Sequence, residues 1–217
     1  MPDAGTARRL AILALTLLLA ACGADSVYAP DQAVSRARYS SKAPPSLTLI
    51  TVINNRSGAG GHAALMIDAD ERVIFDPAGS WHHSAAPERN DVHYGITPLM
   101  LDFYIDYHAR ETYRVVMHTV HVSPELAARA KALAEEAGPV PKIYCSQATS
   151  GILRQLPGFE DVTRSFFPVQ TMNSFAALPG VVEEVHIQND AAHNKHIFAE
   201  QEAAYRAATG GDQSAGR

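Results

Sequence analysis

Residues 61–76 read GHAALMIDADERVIFD. His62 opens an apolar run to Ile67, Asp68-Ala69-Asp70-Glu71 carries turn chemistry, and Arg72 to Phe75 is a second short apolar run. Two such runs around a polar turn predict a β-hairpin. Upstream, Leu47 to Ile53 (LTLITVI) is apolar and β-branched, the composition of a buried strand, and the glycine-rich stretch 54–61 leads from it to His62. Asp76-Pro77-Ala78-Gly79-Ser80 then breaks the pattern.

The pattern alternates further along. Thr97-Pro98 starts a helix to about His108, with threonine as cap and proline at the first helical position. Residues 112–122 partly alternate, as a half-buried strand does. Ser123-Pro124 opens an amphipathic helix that Gly138 closes. Pro139 and Pro141 separate it from a helix running from Cys145 to about Leu156, and residues 181–187 form a last strand. Strands and helices mix without strict alternation. The expected class is α+β, an antiparallel sheet with helices packed on one side.

The ends carry other signals. Arg8 and Arg9 precede an apolar run, Leu10 to Ala21, that is too short to span a bilayer and ends in small residues before Cys22. This is the pattern of an export signal, residues 1–21, with Cys22 as the acylated first residue of the mature chain. Gly23 follows, the sorting pattern of an outer-membrane lipoprotein facing the periplasm. Residues 22–45 read as a flexible tether, 46–188 as one domain, and 189–217 as a polar, disordered tail. The formal charge is −5; Arg8 and Arg9 against Asp3 give residues 1–21 a net +1, leaving −6. No basic cluster interrupts that balance, which argues against nucleic acid. A monomer is expected.

The chain has two cysteines. With Cys22 acylated, Cys145 is a lone thiol in an oxidising compartment. It stands at a helix start, where free N–H groups and the helix dipole favour a thiolate. A nearby imidazole lowers the thiol's pKa further, and the same N–H groups suit a developing oxyanion. Among ten histidines, His62 stands apart because it enters an otherwise apolar strand beside Gly60 and Gly61. If the hairpin turns near Ala69 and Asp70, Asp76 comes back beside His62. His82, His83 and His93 suggest a metal by count, but no metal-ligand motif accompanies them; no metal and no cofactor are expected.

The series Gly61-His62-Ala63-Ala64-Leu65-Met66-Ile67, Arg72-Val73-Ile74-Phe75-Asp76 and Tyr144-Cys145-Ser146 resembles the circularly permuted form of the NlpC-type papain-like superfamily. In that form the histidine strand precedes the cysteine helix. The resemblance spans about residues 46–156. It implies a papain-like antiparallel sheet packed against helices, Cys145 as nucleophile, His62 as base and a polar orienter that best matches Asp76. In relatives that orienter often lies nearer twelve residues on, which falls here on Ile74, and His82 is the substitute. Gly61, Tyr144, Trp81 and His82 are the candidate substrate contacts. The implied activity is hydrolysis of an amide or peptide bond, or acyl transfer, through a thioester. Substrates are a peptide, cell-wall material or an acyl group, with the membrane reached through Cys22. The alternative is an envelope lipoprotein that uses the same fold as a binding module without chemistry.

Overall fold

The apolar stretch 47–53 lies at the middle of a sheet. In the computed structural model, which describes residues 24, 26–194 and 196–210, it belongs to a strand paired on both sides. The expected signal 1–21 and the acylation site Cys22 lie outside the described residues. In chain order the elements are α1 (Asp31–Ala37), β1 (Ser46–Asn54), β2 (Gly60–Asp68), β3 (Arg72–Phe75), β4 (Glu88–Arg89), β5 (Val92–His93), α2 (Pro98–His108), β6 (Tyr113–His121), α3 (Pro124–Glu136), α4 (Cys145–Leu153), α5 (Pro168–Ala176), β7 (Val182–His186) and α6 (Ile197–Thr209). The strands form one antiparallel sheet in the order β4-β5-β3-β2-β1-β6-β7. The fold is α+β, with six helices packed against the sheet.

Alternation explains the layers, and it corrects one expectation. Along β1 and β2 successive side chains point to opposite faces, and both faces are apolar. Leu47, Leu49, Leu65 and Ile67 join Leu133 of α3, Ile152 of α4 and Phe175 of α5. Ile50, Val52, Ala64 and Met66 join Trp81 and the α2 residues Met100 and Tyr104. A strand that is apolar on both sides exposes a face unless both are covered, so helices lie on both sides of the sheet rather than on one. The expected caps form: Thr97 Oγ1 accepts from the Met100 N–H at 3.2 Å, and Ser123 Oγ accepts from the Leu126 N–H at 3.2 Å.

Both flanks are more ordered than their composition suggests. The described part of the expected tether holds α1 and runs along the domain: Ala29 N–H donates to Glu88 O at 2.9 Å, and Arg72 N–H donates to Tyr39 O at 2.8 Å. These bonds use strand-edge groups that would otherwise face solvent. The expected tail contains α6. Its Ile197 and Gln201 are buried, and Gln201 accepts from Trp81 Nε1 at 3.3 Å and donates to Phe103 O at 2.9 Å. A polar residue anchors this helix, so hydrophobic composition alone did not reveal it. No helix among the described residues is long and apolar enough to cross a membrane.

Candidate active site

The hairpin register brings His62 and Asp76 together. Leu65 faces Phe75; one step further along an antiparallel pair, Ala64 stands opposite Asp76. His62 is then a diagonal neighbour of Asp76 on the same face, within reach of a long side chain. Between β1 and β2 the register slips, Val52 facing His62 and Ile53 facing Gly60. Gly61 is the extra residue of a β-bulge, a device that re-aims adjacent side chains. His62 Nε2–H donates to Asp76 Oδ1 at 2.6 Å. Ile74, the position matched by the twelve-residue spacing, pairs with Met66 and is fully buried in the core.

Asp76 is 1 % exposed and held from several sides. Tyr104 Oη donates to Oδ1 at 2.6 Å, and the Asp76 N–H donates to Asp91 O at 2.7 Å. Burial alone pushes this carboxyl up, but the His62 ring, with His108 and His93 beyond it, holds it well below the usual carboxylate range. Burial likewise pushes His62 down, yet the Asp76 charge and hydrogen bond, aided by Cys145, raise it to about 10. Tyr104 is pushed far up by burial and by the Asp76 charge, so it stays a neutral donor. His108 is lowered to about 4, chiefly by burial, and stays a neutral ring. Its Nδ1–H donates to Tyr104 O at 2.8 Å, and its plane lies within 4° of that of His62, centroids 5.7 Å apart.

Cys145 enters from the other layer as the first residue of α4. Burial pushes the thiol up; the hydrogen bond and charge of His62, with backbone N–H groups of Ala63 and Ser146, bring it below its ordinary value. Both shifts run toward the charged forms, and Asp76 holds the Nε2 side of the His62 ring. An open cleft of about 340 Å³ adjoins the ring, lined by Gly61, His62, Gly79, Ser80, Tyr107 and His108 among others. Cys145, 8 % exposed, is not in that lining.

The remaining expected residues separate. Gly61 lines the cleft. Tyr144 precedes α4 and is 43 % exposed. Trp81 is 2 % exposed and packs edge-on against Tyr104 and His93, so it supports the site from behind instead of lining the His62 cleft. His82 stacks on Phe198 rather than on the His62–Asp76 pair. His82, His83 and His93 do not form a ligand set among the described residues; the cluster with metal-like spacing is His62, Asp76 and His108, ligand atoms within 4.8 Å of one another. An ion there competes for His62 Nε2 and Asp76 Oδ1, which already bond each other. Tyr104 and His108 escaped the sequence reading. Their signal was available: they stand four apart on a helix and therefore share a face.

Gly79 shows how tightly Asp76 is enclosed. A Cβ built at position 79 would lie 1.8 Å from Asp76 Oδ2. Gly79→Ala therefore displaces the carboxylate from His62. The expected result is slower alkylation of Cys145 at pH 7, down to the rate of a model thiol, in a protein that still unfolds cooperatively. Alkylation at the wild-type rate shows that His62 does not depend on Asp76.

No family model, curated protein or solved structure matches this chain. The functional reading therefore rests on the geometry of Asp76, His62 and Cys145.

Proposed function

We propose that the protein is a thiol-dependent hydrolase of amide or peptide bonds, or an acyltransferase, working through a thioester on Cys145. The observation that carries this reading is the 2.6 Å hydrogen bond between His62 and Asp76, together with a Cys145 thiol at the start of α4 that His62 draws below its ordinary value. The order of a histidine hairpin before a cysteine helix supports a permuted NlpC-type papain-like fold. The Cys22 signal supports a lipoprotein on the periplasmic side of the outer membrane, and the proposed substrate is a peptide, cell-wall material or an acyl group.

The chemistry follows from the pair. The Cys145 thiolate attacks the carbonyl carbon, forming the C–S bond as the carbonyl electron pair moves to oxygen. N–H groups at the first turn of α4 have no intrahelical acceptor and suit that oxyanion. The intermediate collapses, and His62 gives its Nδ1 proton to the departing amine or alcohol. In the second half His62 takes a proton from water or another acceptor, which attacks the thioester and releases the thiolate. Asp76 stays ionised and keeps the Nε2–H oriented.

The test is site-resolved alkylation with iodoacetamide at pH 7. An ordinary thiol is only a few per cent thiolate there. Full ionisation raises the reactive fraction by roughly 30-fold, and reduced intrinsic nucleophilicity returns part of it. Cys145 is expected to react roughly tenfold faster than a model thiol, with that excess lost in His62→Ala. A rate equal to the model thiol's, unchanged by His62→Ala, overturns the proposal. The burial of Cys145 favours the alternative, a binding module without chemistry, and that alternative predicts the inert result.

A further inference from the structure

Four large apolar side chains stand in solvent where α4 and α5 begin. Ile143 is 74 % exposed, Tyr144 43 %, Phe166 47 % and Phe167 67 %. They belong to the loops that precede the two helices. Tyr144 meets Phe166 edge-on, centroids 5.1 Å apart, so the two loops form one patch. Ile143 has φ 71, a left-handed conformation that is strained for a β-branched residue. That strain holds an isoleucine outward with no burial in return, which points to a surface that covers it. Lys142 and Arg164, both exposed, flank the patch.

A second observation says what covers it. Ala24 and Val27 line one cavity together with Val140, Pro141 and Lys142. Ala24 and Val27 thus lie beside the loop that carries Ile143. The expected acylated residue is Cys22, and the two residues from there to Ala24 reach at most about 7 Å. A membrane holding the N-terminus therefore lies close to this loop. Aromatic side chains favour the membrane interface, and basic ones favour anionic headgroups.

We infer that the face formed by Ile143, Tyr144, Phe166 and Phe167 docks onto the lipid bilayer that anchors the N-terminus, setting the start of the Cys145 helix against the membrane surface. The inference rests on the membrane-anchor part of the proposed function and is independent of its chemistry.

The test uses the full chain reconstituted in vesicles of phosphatidylethanolamine and phosphatidylglycerol whose acyl chains are brominated near the headgroups. Trp81, buried, is left in place, and one tryptophan is added by Phe167→Trp or by Val182→Trp. Val182 is 68 % exposed on the edge strand β7 and pairs with Thr119, which faces Thr48 near the start of β1. It lies at the opposite end of the sheet from Gly60, which approaches Pro168 of α5. Co-flotation reports the anchor, and quenching reports docking. Both variants are expected to float with the vesicles. Bromination is expected to quench the tryptophan at 167, buried roughly 5–10 Å into the interface, and to spare the one at 182. Flotation with equal quenching at both positions overturns docking and leaves the patch to a protein or peptide partner. Failure to float removes the anchor and overturns the inference with it, while leaving the Cys145 alkylation result standing.

Discussion

Cys145→Ala is expected to abolish acylation. With p-nitrophenyl acetate as a generic acyl donor, the wild-type chain is expected to release nitrophenolate in a burst and to carry the acetyl group on Cys145 by peptide mass. The variant is expected to show neither. The loss is on the order of 10⁴-fold or more, because what remains is binding and N–H polarisation without a nucleophile. Cys145→Ser is expected to be almost as inactive, since an alcohol is far too weak an acid for His62 to ionise in the ground state. His62→Ala matches the cysteine variants, and the double variant loses no more than either single one, as for groups that act as a unit. The position is 8 % exposed and removal of one sulfur is a small change, so thermal unfolding should remain close to wild type. Acylation that persists at another residue in Cys145→Ala sinks the assignment of the nucleophile.

Asp76→Asn is expected to cost on the order of 10⁴-fold in acyl transfer and to change how stability depends on pH. The substitution keeps the shape and the oxygen that faces Tyr104, but removes the charge that holds His62 up against burial. The imidazolium is then lost at lower pH, and the alkylation profile of Cys145 moves to higher pH. Stability follows from the two directions. Asp76 is held below its unfolded value, so its contribution is present above about pH 4 and vanishes as pH falls through the folded value. His62 is held above its unfolded value, so its contribution is complete below about pH 6.5 and vanishes as pH rises through about 10. The pair stabilises most between roughly pH 4 and 6.5. The Tm of Asp76→Asn should therefore fall most below wild type near pH 5 and approach it near pH 10. Parallel Tm curves for the two proteins would falsify the buried ion pair.

Particular residues show how much was legible beforehand. The bounds of β3, the caps at Thr97 and Ser123, and the start of α4 at Cys145 rest on local chemistry that operates within a few residues. The approach of Asp76 to His62 was legible for a related reason: a tight hairpin makes a contact fourteen residues apart almost local. Tyr104 fell inside the helix expected from Thr97 to about His108 with no role assigned, although its hydroxyl bonds Asp76 across 28 residues. Gln201 looked like a tail residue, although it meets Trp81 across 120. Periodicity says that a face wants cover and not which element covers it.

By itself the sequence determined an α+β chain, a His62–Asp76 hairpin and a cysteine at a helix start, because each depends on short-range sterics, capping and a two-residue strand period. Only the tertiary structure decided that helices cover both faces, that Tyr104 and Gly79 enclose the carboxylate, and that the loops carrying Ile143, Tyr144, Phe166 and Phe167 meet in one patch near Ala24 and Val27. Those depend on which distant surfaces bury each other, and many partners satisfy the same apolar pattern.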